Sequence, residues 1–382
     1  MNIVEPILHQ CRINAEQPAI CAPGTPFDTI TYAQLEYMIN NVIKTVIPFG
    51  FEPGQIVGLL LQDTIFHIVV ILALTRMGVV TVSCGEEPLS EEIGATALII
   101  DSSEPVTGAK RIIRGNPDWV RGSASTAVDA RPAIGDEVCR IFLTSGTSGV
   151  PKAVALSHQM LMGRNVQFDY AFGGHWPEQS RLYCDLRIAS EPGFRYVLYM
   201  LMRGGMIMFY GEDHVRTVQS LDLFKVRSMV TSPRGLADHL KFYERTSIHS
   251  SLDHVVALGG GVATKLLRRV WARMSQNVFS DYGATEVGSV ASADLRAIGE
   301  TRGATGYVVP PASVEIMDDE TGTSTAANTE GIVRLRTPYM ATRYVGQPQA
   351  SAHFFRDGWF YPGDYGYVTP HGVLVITGIQ SA

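Results

Sequence analysis

Residues 141–156 constrain this chain more than any other stretch. Ile141, Phe142 and Leu143 lead in as the apolar run of a buried strand. Thr144, Ser145, Thr147 and Ser148 then alternate with Gly146 and Gly149; Pro151 stiffens the exit and Lys152 follows. Glycine tolerates positive φ and lets successive backbone N–H groups turn inward as a concave anion nest. The hydroxyls add donors, and a lysine adds a mobile point charge suited to phosphate. A flexible Gly/Ser turn has a similar composition. A strand, a donor-rich loop and a cation in this order are, however, what phosphate binding requires. No Gly-Lys-Ser/Thr follows the first glycine at the Walker A spacing. The stretch reads as a polyphosphate-binding loop of another kind.

A chain of 382 residues is too long for one compact core, so two or three subdomains are expected. Its 46% hydrophobic and 18% charged residues are ordinary for a globular enzyme. The formal charge of −6, with no Lys/Arg run or basic aromatic stripe, argues against a general nucleic-acid binder. Five cysteines (Cys11, Cys21, Cys84, Cys139, Cys184) form no Cys-x-x-Cys pair and are odd in number. They fit a reducing cytoplasm better than a disulfide framework. Residues 1–10 carry Glu5, Pro6 and His9 and lack the basic start of a signal peptide. The most apolar segment, 65–82, is interrupted by His67, Thr75 and Arg76, so it reads as a core helix running into a strand.

Thr31 is placed to cap a helix starting at Tyr32. An apolar run at 55–61, a helix at about 64–77 and a second run at 79–82 make a βαβ unit, hence a parallel sheet. Residues 97–100 add a strand, 104–135 read as polar surface connections, and a helix starts near Ser157. A second α/β set follows: a helix over 196–202 ended by Gly204 and Gly205, and strands at 206–209, 229–231 and 254–258. Thr264 is read as the cap of a helix to about Met274, and 277–280 as a strand. Several of these strands end in glycine-rich or polar loops, where open α/β sheets bind ligands. From Gly303 on, alternating Val308, Val314, Ile316, Ile332, Val333 and Leu335 read as an antiparallel barrel or sandwich. The expected fold class is α/β, with two sheet-and-helix subdomains over 1–304 and a β-rich subdomain over 305–382.

Four separated stretches then fall into one order. These are the loop Thr144 to Lys152, the turn Gly259-Gly260-Gly261, the run Asp281-Tyr282-Gly283-Ala284-Thr285-Glu286, and Gly358-Trp359-Phe360-Tyr361-Pro362-Gly363-Asp364. Together they resemble the core motifs of the adenylate-forming superfamily: acyl-CoA synthetases, aryl-CoA ligases, luciferases and peptide-synthetase adenylation domains. The match runs over about 30–376. The resemblance implies an acyl-CoA synthetase-like N-terminal domain that activates a carboxylic acid with ATP as an acyl-adenylate, with pyrophosphate leaving.

It also implies roles. Thr144, Ser145, Gly146, Thr147, Ser148, Gly149 and Lys152 match the loop holding the β- and γ-phosphates. Gly259, Gly260 and Gly261 match the turn against which adenine lies, and Tyr282 the aromatic stacking on it. Thr285 would contact the α-phosphate or the substrate carboxylate, Glu286 would ligate Mg²⁺, and Asp364 would accept from the ribose hydroxyls. Asp281, Gly283 and Ala284 complete the nucleotide-binding set, and Lys152, Thr285 and Glu286 form the catalytic set. Ser190, Glu191, Phe194, Ser232 and Gly259 are placed at the acyl pocket. Charge building on phosphate oxygens is met by positioning and electrostatics, so no enzyme nucleophile is required.

The chain also departs from the family pattern. Ala153 stands where a glycine often closes the phosphate loop, and no histidine shapes the pocket near Ser190. With only Glu191 and Arg195 charged there, an apolar or aromatic acid is expected rather than a dicarboxylate. Relatives carry Gly-Arg where this chain reads Gly378-Ile379, and the sequence ends at Ala382, before the family's hinge and lysine-bearing lid. An incomplete two-domain enzyme is therefore expected. Two alternatives stay open: an amino-acid adenylation domain, with Asp185 meeting the α-ammonium, and a catalytically silent nucleotide-binding module. The partners implied are a small carboxylic acid, ATP with Mg²⁺, and CoA or a carrier-protein thiol, with no nucleic acid, no membrane span, and a homodimer as one assembly.

Overall fold

The computed structural model describes residues 1–85, 89–101, 111–122, 130–144, 151–172, 174–299 and 301–379. Helix α1 (Glu5–Ile13) opens the chain with proline in its first turn, where a missing N–H costs nothing. Strands β1 (Pro18–Cys21) and β2 (Thr29–Thr31) pair antiparallel. Thr31 then caps α2 (Tyr32–Val46) through a complete capping box with Gln34, as its position predicts.

The expected βαβ unit is β3 (Ile56–Leu60), α3 (Thr64–Arg76) and β4 (Val80–Ser83), with the strands adjacent and parallel. Asp63 caps α3 by accepting from the Phe66 N–H at 2.7 Å, and every residue from 65 to 76 is buried. A helix apolar all round must be covered on every side, and two of its polar members find side-chain partners inside. His67 Nε2 lies 2.8 Å from Ser83 Oγ, and Arg76 Nη1 donates to Asn40 Oδ1 at 2.9 Å. Among the described residues no helix is long and apolar enough to cross a membrane.

Strands β5 (Ala97–Ile100), β6 (Ile112–Arg114), β7 (Val138–Thr144) and β8 (Lys152–Ser157) complete a six-stranded sheet ordered β6-β5-β3-β4-β7-β8. It is parallel except for β8, which runs antiparallel to β7. Strand β6 corrects the reading of 104–135 as connections alone: it is an edge strand with one buried residue, Ile113, too short for alternation to reveal.

The second sheet has a parallel centre. After α4 (His158–Phe172) come β9 (Arg181–Cys184), α5 (Glu191–Met202), β10 (Met206–Met208), α6 (His214–Leu223), β11 (Ser228–Thr231), α7 (Pro233–Arg245), β12 (His254–Leu258), α8 (Thr264–Arg273) and β13 (Asn277–Ala284). Strands β1, β10, β9, β11, β12 and β13 lie side by side and parallel. Three boundaries differ from the sequence reading. Helix α5 starts at Glu191 with Ser190 as its cap. Helix α8 is preceded by Ala263, with Thr264 already helical rather than capping. Strand β13 continues through Ala284, because β14 (Gly288–Asp294) pairs with it antiparallel. At the bulge in that pair a Cβ on Gly283 would lie 2.0 Å from the Gly288 carbonyl oxygen, so only glycine fits.

From β14 the sheet turns antiparallel through β15 (Ala304–Val308), β16 (Ser313–Met317) and β17 (Gly331–Arg336). Helix α9 (Pro348–Phe354), β18 (Phe355–Arg356), β19 (Trp359–Phe360), β20 (Asp364–Val368) and β21 (Val373–Ile379) end the described chain. These strands join the parallel part through the β14–β15 pair, giving fifteen strands in one hydrogen-bonded sheet. Helix α4 packs on β8 of the first sheet and β14 of the second, so it spans the two.

Candidate active site

The anticipated motifs gather at strand ends. Leu258 pairs with Asp281, so the turn 259–261 leaves the sheet beside Tyr282; Gly259 has φ +80° and all three glycines are exposed. Tyr282 Oη donates to Asp364 Oδ2 at 2.5 Å, joining the expected adenine residue to the expected ribose residue. Burial pushes the Tyr282 phenol well above its usual value, and burial also raises the Asp364 carboxyl against that hydrogen bond. Asp281 itself faces inward. Its buried carboxylate lies 3.6 Å from Arg195 Nη2, so its side chain takes no part in the open face.

The next residues make a short turn into β14. Glu286 is 6% exposed, and its Oε1 accepts from Tyr344 Oη at 2.7 Å. Burial raises its carboxyl, opposed by the Tyr344 hydrogen bond and by the charges of Arg164 and Lys152. The main chain of the turn is held equally firmly. Arg164 donates to the Thr285 carbonyl at 2.9 Å and to the Glu286 carbonyl at 3.0 Å; the Ala341 N–H also donates to the latter, at 2.7 Å.

Lys152 opens β8, where it pairs with Thr144 of β7. Its ammonium lies 4.6 Å from the centre of the Phe354 ring and 6.0 Å from that of Tyr344, and it forms no ion pair among the described residues. Ser145, Gly146, Thr147, Ser148 and Gly149 lie outside the described residues. The segment 337–347 ties this strand to the Glu286 turn. Thr337 Oγ1 donates to the Val287 carbonyl at 3.1 Å, the Val345 N–H to the Ala153 carbonyl at 2.9 Å, and Gln347 Nε2 to the Pro151 carbonyl at 3.1 Å.

The residues expected at the acyl pocket divide. Ser190 and Ser232 cap α5 and α7 at the carboxyl ends of β9 and β11, and Gly259 lies at the end of β12. Two of these residues turn into the protein interior. Glu191 is 2% exposed and fully engaged, 2.8 Å from Arg164 Nη1 and 3.4 Å from Arg195 Nε, so it offers no charge to a substrate. Phe194 is completely buried, packed on Phe142 and beneath the Arg140 guanidinium at 4.5 Å. The helix turns both side chains inward because its buried face includes 191, 194 and 195.

A cavity of about 300 Å³ opens instead beside α6 and α7, lined in part by Asp185, Tyr210, His214, Ser232 and His239. Asp185 Oδ2 there already accepts from Thr231 Oγ1 at 2.7 Å and lies 3.3 Å from His239 Nε2.

Sequence reasoning missed Arg164 and Tyr344, and it named Arg195 only as a charge near the acyl pocket. An arginine within a helix and a tyrosine in a connecting segment carry no local signal, since their meaning comes from partners more than 50 residues away. Among the described residues no three metal-ligating side chains cluster.

Comparison with known proteins bears on the family and the fold. The family model described as "AMP-binding enzyme" matches residues 7–345. A 4-chlorobenzoate–CoA ligase of Arthrobacter sp is 25% identical over 380 residues, covering 91% of this chain and 71% of the relative. Among solved structures, the O-succinylbenzoate coenzyme A synthetase of Bacillus subtilis in complex with AMP superposes with a TM-score of 0.84 at 21% identity, over 98% of this chain and 78% of that one. The N-terminal domain of FACL13 from Mycobacterium tuberculosis gives 0.85 at 20% identity, over 99% of this chain and 100% of that one.

Proposed function

The chain belongs to the AMP-binding enzyme family, and from that premise we propose that it activates an aryl carboxylic acid with Mg·ATP for transfer to coenzyme A. The substrate carboxylate oxygen attacks the α-phosphorus, the bond to the β-phosphate oxygen breaks, and pyrophosphate leaves. The coenzyme A thiol then attacks the acyl carbon, its proton is lost, AMP departs and a carbon–sulfur bond forms.

One observation carries the reading. A single strand-and-turn, residues 281–286, sets Tyr282 on Asp364 and sets the Glu286 carboxylate beside Tyr344 within the field of Lys152. Tyr282, Asp364 and the turn at Gly259 support adenine and ribose; Thr285 and Lys152 face the phosphates. Mg²⁺ binds through one or two carboxylates with substrate phosphates completing its shell, so the single, oriented Glu286 carboxylate fits it. When bound, the cation would neutralise charge building on phosphate oxygens. The chain's own part is to hold nucleotide and acid in line, the positioning on which such transfers depend.

An aryl acid is supported by the cancelled charge of Glu191 and by the 4-chlorobenzoate ligase among the relatives. The five cysteines, all unpaired, fit a reducing cytoplasm. The test is calorimetric binding of AMP, followed by a thermal-shift screen of benzoates, aliphatic acids and dicarboxylates with ATP and Mg²⁺. AMP binding with selective stabilisation by benzoates is expected. No AMP binding would reject the nucleotide site, and stabilisation by dicarboxylates alone would reject the acid class.

A further inference from the structure

The Thr285–Glu286 turn is closed by a backbone bond from the Val287 N–H to the Ala284 carbonyl at 3.1 Å, but its two central carbonyls are held from outside. Its two carbonyl oxygens are both taken by one guanidinium, brought from helix α4 of a different part of the chain. Arg164 uses nearly all of its donor fork. Nη1 reaches Thr285 O at 2.9 Å and Glu191 Oε1 at 2.8 Å, Nη2 reaches Glu286 O at 3.0 Å, and Nε reaches Tyr339 O at 3.2 Å. The arginine side chain is wholly buried and its carboxylate partner nearly so.

Glu191 is held in turn by Arg195, whose Nη1 donates to Ser289 Oγ at 2.7 Å and whose Nη2 lies 3.6 Å from Asp281. A buried line of alternating charge therefore runs from the turn, through α4 and α5, back to the strands on either side of that turn. For stability alone such ions are a poor choice, because apolar residues of the same volume often serve as well or better. What a planar fork supplies and an apolar side chain cannot is simultaneous, directed bonding to two consecutive carbonyls. The two carbonyls belong to the peptide planes on either side of the Glu286 Cα, so fixing both planes fixes the Cα–Cβ direction of Glu286.

We propose that Arg164, braced by Glu191, is a positioning residue that sets the aim of Glu286 toward the phosphate-bound cation. This rests on the reading of the protein as a Mg·ATP-dependent acid-activating enzyme. Arg164 touches neither nucleotide nor cation; it acts through the turn. Lysine at 164 keeps the charge beside Glu191 but can serve only one carbonyl well. Pairing Arg164→Met with Glu191→Gln removes both charges and leaves neither ion stranded.

The experiment is calorimetry on the 382-residue chain, with Mg²⁺ titrated at fixed ATP, AMP titrated separately, and thermal unfolding recorded for each protein. In Arg164→Lys and in Arg164→Met/Glu191→Gln the Mg²⁺ needed to half-saturate ATP binding should rise about tenfold or more, as loss of a ligand's supporting partner does. AMP affinity should stay unchanged, because AMP lacks the phosphates that share the cation. A merely structural role would weaken both nucleotides together with melting temperature, and that result would overturn the proposal. So would an unchanged Mg²⁺ requirement in both variants while the unsubstituted chain binds Mg·ATP normally. Failure of the unsubstituted chain to bind Mg·ATP would instead remove the functional reading, and this proposal with it.

Discussion

Tyr282 and Asp364 stand 82 residues apart in sequence and meet in a 2.5 Å hydrogen bond. The bond crosses from the last parallel strand to the antiparallel wing, so the floor of the proposed nucleotide site is built by both halves of the large sheet. The phenol donates to one carboxylate oxygen, Oδ2, and fixes the orientation of the group.

Replacing Asp364 with Ala should therefore weaken AMP binding by about 1.5–3 kcal/mol, the range for a hydrogen bond to a charged acceptor. Tyr282→Phe should cost less, about 1 kcal/mol, because the ring remains and only the orienting bond is lost. Calorimetric AMP affinity checks both, and equal affinity in Asp364→Ala would remove the ribose assignment.

Glu286→Gln should weaken Mg·ATP binding far more than AMP binding, since the cation it would hold bridges phosphates absent from AMP. Tyr344→Phe should show the same selectivity in weaker form, because it frees the carboxylate without removing it. Parallel losses for the two nucleotides in Glu286→Gln would sink the metal assignment.

The strand-ending loops were legible because each combines glycines with a preceding apolar run, and the βαβ unit because 64–76 is apolar without a break long enough to expose it. Two kinds of feature were not legible. The inward turn of Glu191 and Phe194 depends on where α5 begins, five residues before the apolar run that marks it. The holding of Glu286 depends on Arg164 and Tyr344, 122 and 58 residues distant. Local patterning marks the glycine-rich loops at strand ends; it carries no record of which distant side chain grips a given carbonyl.

Acid should destabilise the fold through two buried imidazoles. His158 Nδ1 accepts the Ile3 N–H at 3.1 Å and so must stay unprotonated. Burial first, then the N-terminal ammonium, lowers its pKa from 6.5 to about 4. Burial and then Arg140 lower that of His67 to about 3. A depressed folded-state pKa means the unfolded chain takes the proton first. The stability from His158 is thus complete above pH 6.5 and drains away as pH falls from 6.5 through about 4. The amount is on the order of 3 kcal/mol. His158→Asn, whose Oδ1 can accept the same N–H, should flatten the urea-unfolding free energy over that interval. An undiminished slope in this variant would place the acid sensitivity elsewhere.

Gly163 offers a test in which two effects of opposite sign compete. It lies inside α4, where alanine is intrinsically better by about 1 kcal/mol. A Cβ there, however, would sit 2.2 Å from Cε1 of Tyr339. That ring cannot simply move with its backbone, because the Tyr339 carbonyl is bound to Arg164 and its N–H to Thr337 Oγ1. Overpacking of this kind costs about 1–3 kcal/mol, enough to outweigh the helical gain. Gly163→Ala should therefore destabilise the protein and, by displacing Tyr339, loosen the segment that holds Glu286. In a Tyr339→Ala background the clash vanishes and the same substitution should become stabilising. The cycle of single and double variants in urea isolates the contact. If Gly163→Ala destabilises equally in both backgrounds, Tyr339 is not what requires glycine at 163.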